Sequence, residues 1–299
     1  MQAVLSAKSE QVRTGNACSV PVRDEFLATL ANVHTCYGLR GRKEGFRMAL
    51  LTGYFDESGI HGADVCVVAG FIGNDAQWQS FIGEWVPAIR PAQNLHMKKL
   101  RWNQHPEAVA RRLARLGPLP HKYNLHPIMA GMKWRDYNSV VRGKIPGKFT
   151  HPYILCALAC VSVVLTELAG SDDVYFLLDQ QRGLRRESME ELRKIVFGWF
   201  GADKRVRGID FMRRQDTVCL DPADYLAYIV RERSFDMNSL KSRAGESIIG
   251  PGGNGGWIPA EHLEQLVAVH GDSRSIQEVV REMMTNPYFR GPRSTEILK

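Results

Sequence analysis

Two apolar segments that each run straight into an aspartate constrain this chain more than any other feature: "LLTGYFDESG" beginning at Leu50 and "DVYFLLDQ" beginning at Asp173. Short aliphatic and aromatic runs bounded by polar residues are strand signals. The abrupt change at Asp56, Glu57 and Ser58 has two readings. Asp and Ser form turns and Gly59 supplies a positive φ, which describes a β-turn after an edge strand. Alternatively, a carboxylate is held at the carboxyl end of a buried strand, where α/β sheets bind their ligands.

The surrounding pattern predicts a mixed sheet. Leu50 to Phe55 and Val65 to Ile72 read as a β-hairpin. Trp78, Phe81, Ile82, Trp85 and Ile89 then recur at helical spacing over Asp75 to Ile89, with Asp75 as the expected N-cap. A basic loop, "NLHMKKLRW", leads to a helix over Pro106 to Leu116, a strand over Leu125 to Met132 and a buried helix over Pro152 to Leu168. Asp173 to Leu178 is the next strand, followed by a helix at Glu187 to Phe200, a strand at Arg207 to Met212 and a helix at Ala223 to Arg233. "GPGGNGG" reads as a flexible loop, since no Lys-Ser/Thr pair follows it as a phosphate cradle requires. Helices are expected around Ala260 to Val269 and Ser275 to Met284. A hairpin followed by strands separated by helices describes an α/β fold, a mixed sheet flanked by helices. Residues 1–47 are weakly patterned and read as an N-terminal extension, 48–240 as the α/β domain, and 241–299 as a Gly-rich loop and helical C-terminal tail packed on it.

Bulk properties bound the partners. At 299 residues, with 44% hydrophobic and 24% charged residues, the chain has the composition of an ordinary globular protein. Its formal charge is +7, but residues 1–47 hold seven Lys/Arg against four Asp/Glu, so basicity permits a nucleic-acid partner without demanding one. The six cysteines contain no C-x-x-C pair. They read as reduced thiols, and Cys156 and Cys160, one helical turn apart, as core residues. With no apolar signal segment at the start and no apolar run long enough to span a bilayer, the expected location is cytoplasmic.

A third acidic group lies in "LDPADYLAYIVRER". Asp221, just before Pro222, has the position of a helix cap, and Asp224 that of a first-turn acid. If Asp56 and Asp179 end neighbouring strands, these carboxylates gather at one sheet edge and need a cation to offset their repulsion. Oxygen ligands with little His or Cys nearby select Mg2+ or Mn2+, and two such ions can activate a water and stabilise a leaving oxygen of a phosphodiester.

"YFDESG", "VVAGFIGNDAQW", "FLLDQ" and "LDPADYLAYIVRER", in that order, resemble the family catalogued as domain of unknown function 3800, over roughly Leu51 to Arg233. The resemblance implies a ribonuclease H-like fold and a metal-dependent nuclease site, with Asp56, Asp179 and Asp224 as catalytic metal ligands. Asp221 stands where the family usually has Gln, which leaves it a fourth ligand or a cap. His96 is similar to a histidine often found in the family's middle region.

Strand alternation places Asp56 and Glu57 on opposite faces, so Asp56 is expected to join Asp179 while Glu57 and Ser58 support it. Lys98, Lys99, Arg182, Arg185 and Arg186 are candidate phosphate contacts, with solvated surface charge as the plain alternative. Lys204, Arg205, Arg207, Arg213 and Arg214 could extend that path. The expected activity is Mg2+- or Mn2+-dependent hydrolysis of DNA or RNA. The alternatives are a non-catalytic nucleic-acid or protein-binding module, and an aspartyl phosphotransferase of the haloacid-dehalogenase type. The last wants a second Asp two residues after the first, where this chain has Ser58.

Overall fold

The computed structural model describes residues 50–59, 64–92, 95–145, 149, 151–165, 172–180, 186–200, 205–250 and 253–268. The chain divides into Met1–Lys43 and Glu44–Lys299, and every described residue belongs to the second unit. The expected extension at 1–47 and the expected helix at Ser275 to Met284 lie outside the described residues.

Six strands form one sheet: β1 Leu50–Ser58, β2 Val65–Asn74, β3 His126–Lys133, β4 Asp173–Asp179, β5 Val206–Met212 and β6 Asn254–Trp257. Their order is β5-β4-β1-β2-β3-β6. The expected hairpin is present, with β1 and β2 antiparallel and Phe55 opposite Gly70. On its other side β1 pairs in parallel with β4, and β4 in parallel with β5. β2 runs antiparallel to β3, and β3 parallel to β6, which makes the sheet mixed.

The longer helices are α1 Asp75–Ile89, α2 Pro106–Leu116, α3 Pro152–Val163, α4 Arg186–Phe200, α5 Leu220–Phe235 and α6 Ala260–Ala268. Strand alternation sends Phe55, Cys66, Val68, Phe176 and Leu178 into one core with α3, every residue of which is buried. This explains why α3 has no polar face: it is walled in on all sides. The opposite side of β1 and β2 is covered by α5 and by α1. There the ring of Tyr54 meets Trp78 edge to face at 4.7 Å, and Trp78 Nε1 donates to Thr52 O at 2.9 Å. None of these helices is long and apolar enough to cross a membrane.

Three local expectations need correction. The N-cap of α1 is Asn74, not Asp75, because Asn74 and Gln77 close a reciprocal capping box. α5 begins at Leu220, with Pro222 tolerated in its first turn where no intrahelical N–H bond is lost. Asp221 therefore sits inside the helix, not ahead of it as a cap. The Gly-rich segment is no loop at Asn254–Trp257, which adds β6 to the sheet beside β3. Gly255 makes this possible: at φ 125 a Cβ there would lie 1.7 Å from Met129 O.

Gly70 is a similar point of close approach on β2, since a Cβ would stand 1.9 Å from Tyr54 O and 2.8 Å from Phe55 Cα. Backbone cannot yield as a flexible side chain does, so Gly70→Ala pushes β1 from β2. We expect a loss of about 3 kcal/mol in urea unfolding; an unchanged midpoint would show that the two strands are not held this closely.

Candidate metal centre

The parallel register sets the site. Phe55 on β1 pairs with Leu178 on β4, so one residue further along each strand stand Asp56 and Asp179. Both lie toward the carboxyl ends of their strands, at the place where β1 has a parallel neighbour on one side and an antiparallel one on the other. Ligand atoms of Asp56, Glu57 and Asp179 all lie within 4.8 Å of one another.

Glu57 is thus a member of the group, contrary to the expectation that alternation would exclude it. The two side chains do start on opposite faces. One carboxylate oxygen of Glu57 nevertheless comes within 4.8 Å of ligand atoms of Asp56 and Asp179. Asp56 and Glu57 are 2% and 5% exposed. Asp56 Oδ1 accepts the Glu57 N–H at 2.7 Å, while Glu57 Oε2 is buried and has no hydrogen-bond partner among the described residues. Burial raises the Glu57 carboxyl well above its ordinary 4.5, and Asp179 adds to this; Lys98 acts in the opposite direction. Tyr153 of α3 is buried close by, its phenol pushed up by burial and then by Glu57 and Asp179.

Asp224 is joined to the group by a residue whose place sequence reasoning missed. Arg214 follows β5 in the single turn Arg214–Asp216. Its N–H donates to Asp179 Oδ1 at 3.1 Å, and its guanidinium pairs with Asp56 and with Asp224 and lies 3.8 Å from Asp179 Oδ2. Arg214 Nη1 is also 2.6 Å from His96 Nδ1, which is 3.2 Å from Asp224 Oδ2. His96 Nδ1 can accept from Arg214 or carry a proton toward Asp224, not both. The available signal was an arginine two residues past a strand, near the same ends of strands that marked Asp56 and Asp179.

Asp221 has a different job. It is fully buried, and its Oδ2 accepts from Leu95 N–H at 2.9 Å and Trp85 Nε1 at 3.4 Å. One turn later Asp224 Oδ2 accepts the Met97 N–H at 2.7 Å. The two acids fasten alternate amides of the 95–97 segment to α5 and hold His96 between them. Burial pushes the Asp221 carboxyl up to about 7, the two hydrogen bonds offsetting part of the shift. It does not belong to the Asp56, Glu57 and Asp179 group proposed to bind metal.

The remaining candidates are less central. Ser58 is buried in β1, opposite Val67. Lys98 and Lys99 are exposed in the turn Met97–Lys99 beside α5, and Arg186 is exposed at the start of α4. Arg182 and Arg185 lie outside the described residues.

The shift at Glu57 has a consequence for stability. Its folded pKa exceeds the unfolded value, so the folded state keeps a proton that the unfolded chain releases as pH rises past 4.5. This contribution to stability is fully present below 4.5 and declines above it, by at most about 1.4 kcal/mol per pH unit. In metal-free buffer Glu57→Gln should therefore melt above the parent chain at pH 8, with the gap closing toward pH 4.5. A gap of constant size across that range would remove the buried ionisable role.

Comparison of the chain with protein-family models, with curated proteins and with solved structures gives no match.

Proposed function

We propose that the chain is a divalent-metal-dependent nuclease of ribonuclease H-like fold, related to the domain of unknown function 3800 family, and that it hydrolyses phosphodiester bonds of DNA or RNA. The observation that carries this reading is the convergence of Asp56, Glu57 and Asp179 at the carboxyl ends of β1 and β4, two of them buried and one, Glu57, with a buried oxygen that has no hydrogen-bond partner among the described residues. Buried carboxylates this close raise one another's pKa, and a hard cation relieves that cost. The donor set suits Mg2+ or Mn2+, since the three side chains offer only oxygen. A cation held there would supply charge neutralisation at a phosphate and activation of a water.

The rest of the geometry supports the same reading. The mixed sheet, with β1 between an antiparallel and a parallel neighbour, is compatible with the ribonuclease H-like fold that the resemblance implies. Lys98 is close enough to influence Glu57, so phosphate charge can be met at the same edge. Asp224 acts one layer out, through Arg214 and His96.

The test is cleavage of single- and double-stranded DNA and RNA by the full chain with Mg2+, Mn2+ or EDTA. Asp179→Asn should lower the rate by at least ~100-fold while the protein still melts cooperatively. Turnover that persists in EDTA, or an Asp179→Asn protein as active as the parent, would overturn the proposal. Binding of nucleic acid with no turnover under any metal would leave the non-catalytic module.

A further inference from the structure

The geometry points to Arg214 as a built-in second cation: the centre takes one divalent ion, on the Glu57 side, and the guanidinium does the work of another. This inference rests on the metal-dependent reading above and deepens it.

The guanidinium Nη2 faces Asp56 and Asp179, its Nη1 faces Asp224 and His96, and the side chain is only 16% exposed. It therefore spans the gap between the strand-end carboxylates and α5. A divalent ion bridging Asp56 or Asp179 to Asp224 would need oxygens at about 2.0–2.1 Å for Mg2+, in the space that guanidinium nitrogens fill. The guanidinium is a delocalised cation whose planar fork matches carboxylates, so it competes with a metal ion for the same oxygens.

Its backbone fixes it further. The Arg214 N–H is bound to Asp179, one of the acids its side chain neutralises, so main chain and side chain hold the same carboxylate. Asp224 is likewise committed through one oxygen to Arg214, His96 and the Met97 amide. Glu57 differs: its buried Oε2 has no hydrogen-bond partner among the described residues, and its carboxylate comes within 4.8 Å of ligand atoms of Asp56 and Asp179. The Glu57 side has an oxygen to offer a cation. With a single ion bound there, Arg214 holds the charge of the remaining acids. The fork has five N–H donors, and those left over can face a phosphoryl oxygen.

Mn2+ binding to the full chain, followed by electron paramagnetic resonance of the free ion, tests this by stoichiometry. The parent chain should bind one Mn2+, and Arg214→Lys also one. Arg214→Gln opens the gap and should bind two. Asp224→Asn should retain one ion with affinity changed less than about tenfold, whereas Asp179→Asn should lose more than about a hundredfold. Two ions on the parent chain, or a single ion on a cooperatively melting Arg214→Gln protein, would overturn the role of Arg214 while leaving the metal site in place. No Mn2+ on the parent chain would overturn the metal-dependent reading and this inference together. If Arg214→Gln does not fold, the parent stoichiometry and the Asp224→Asn affinity still decide.

Discussion

The parallel pairing of β1 with β4 is the constraint on which the centre depends. It aligns Phe55 with Leu178, and so leaves Asp56 and Asp179 as the next residues on two adjacent strands. A slip of β4 by one residue would turn Leu178 out of the core and send Asp179 to the opposite face from Asp56. Burial of those apolar residues against α3 thus also positions two acids. Gly70, which lets β2 approach Tyr54 and Phe55, contributes to the same alignment from the other side.

The collected acids create an electrostatic problem that the structure addresses in two ways. Arg214 ties Asp56, Asp179 and Asp224 together from one face. On the other face Glu57 is biased toward its protonated form by burial. Asp221, deeper still, is coupled to the site mechanically: with Asp224 it fastens the segment carrying His96 and so limits where that ring can go. A protein that needed only a stable fold would gain little from burying four acids within one short region.

Much of this was legible in the sequence because apolar patterning reports burial directly. The hairpin, β4, α1 and α2 follow from alternation or helical spacing, and the strand-end aspartates stood out as polar interruptions of apolar runs. β6 was not legible, since Asn254–Trp257 has almost no side-chain pattern and exists because glycine lets the backbone approach β3. Glu57 was misplaced because alternation assigns side chains to faces but does not fix how near two carboxylates at a strand end can come, here within 4.8 Å. Arg214 looked like any charge in a basic stretch, because only tertiary contacts distinguish a neutralising guanidinium from a solvated one.

The most direct measurement is anomalous scattering from crystals of the full chain grown or soaked with Mn2+. The account predicts a peak bounded by carboxylate oxygens of Asp56, Glu57 and Asp179, with the Arg214 guanidinium still between them and Asp224. Density for Mn2+ only at other places, or carboxylates at this edge that hold no ion at saturating Mn2+, would contradict it.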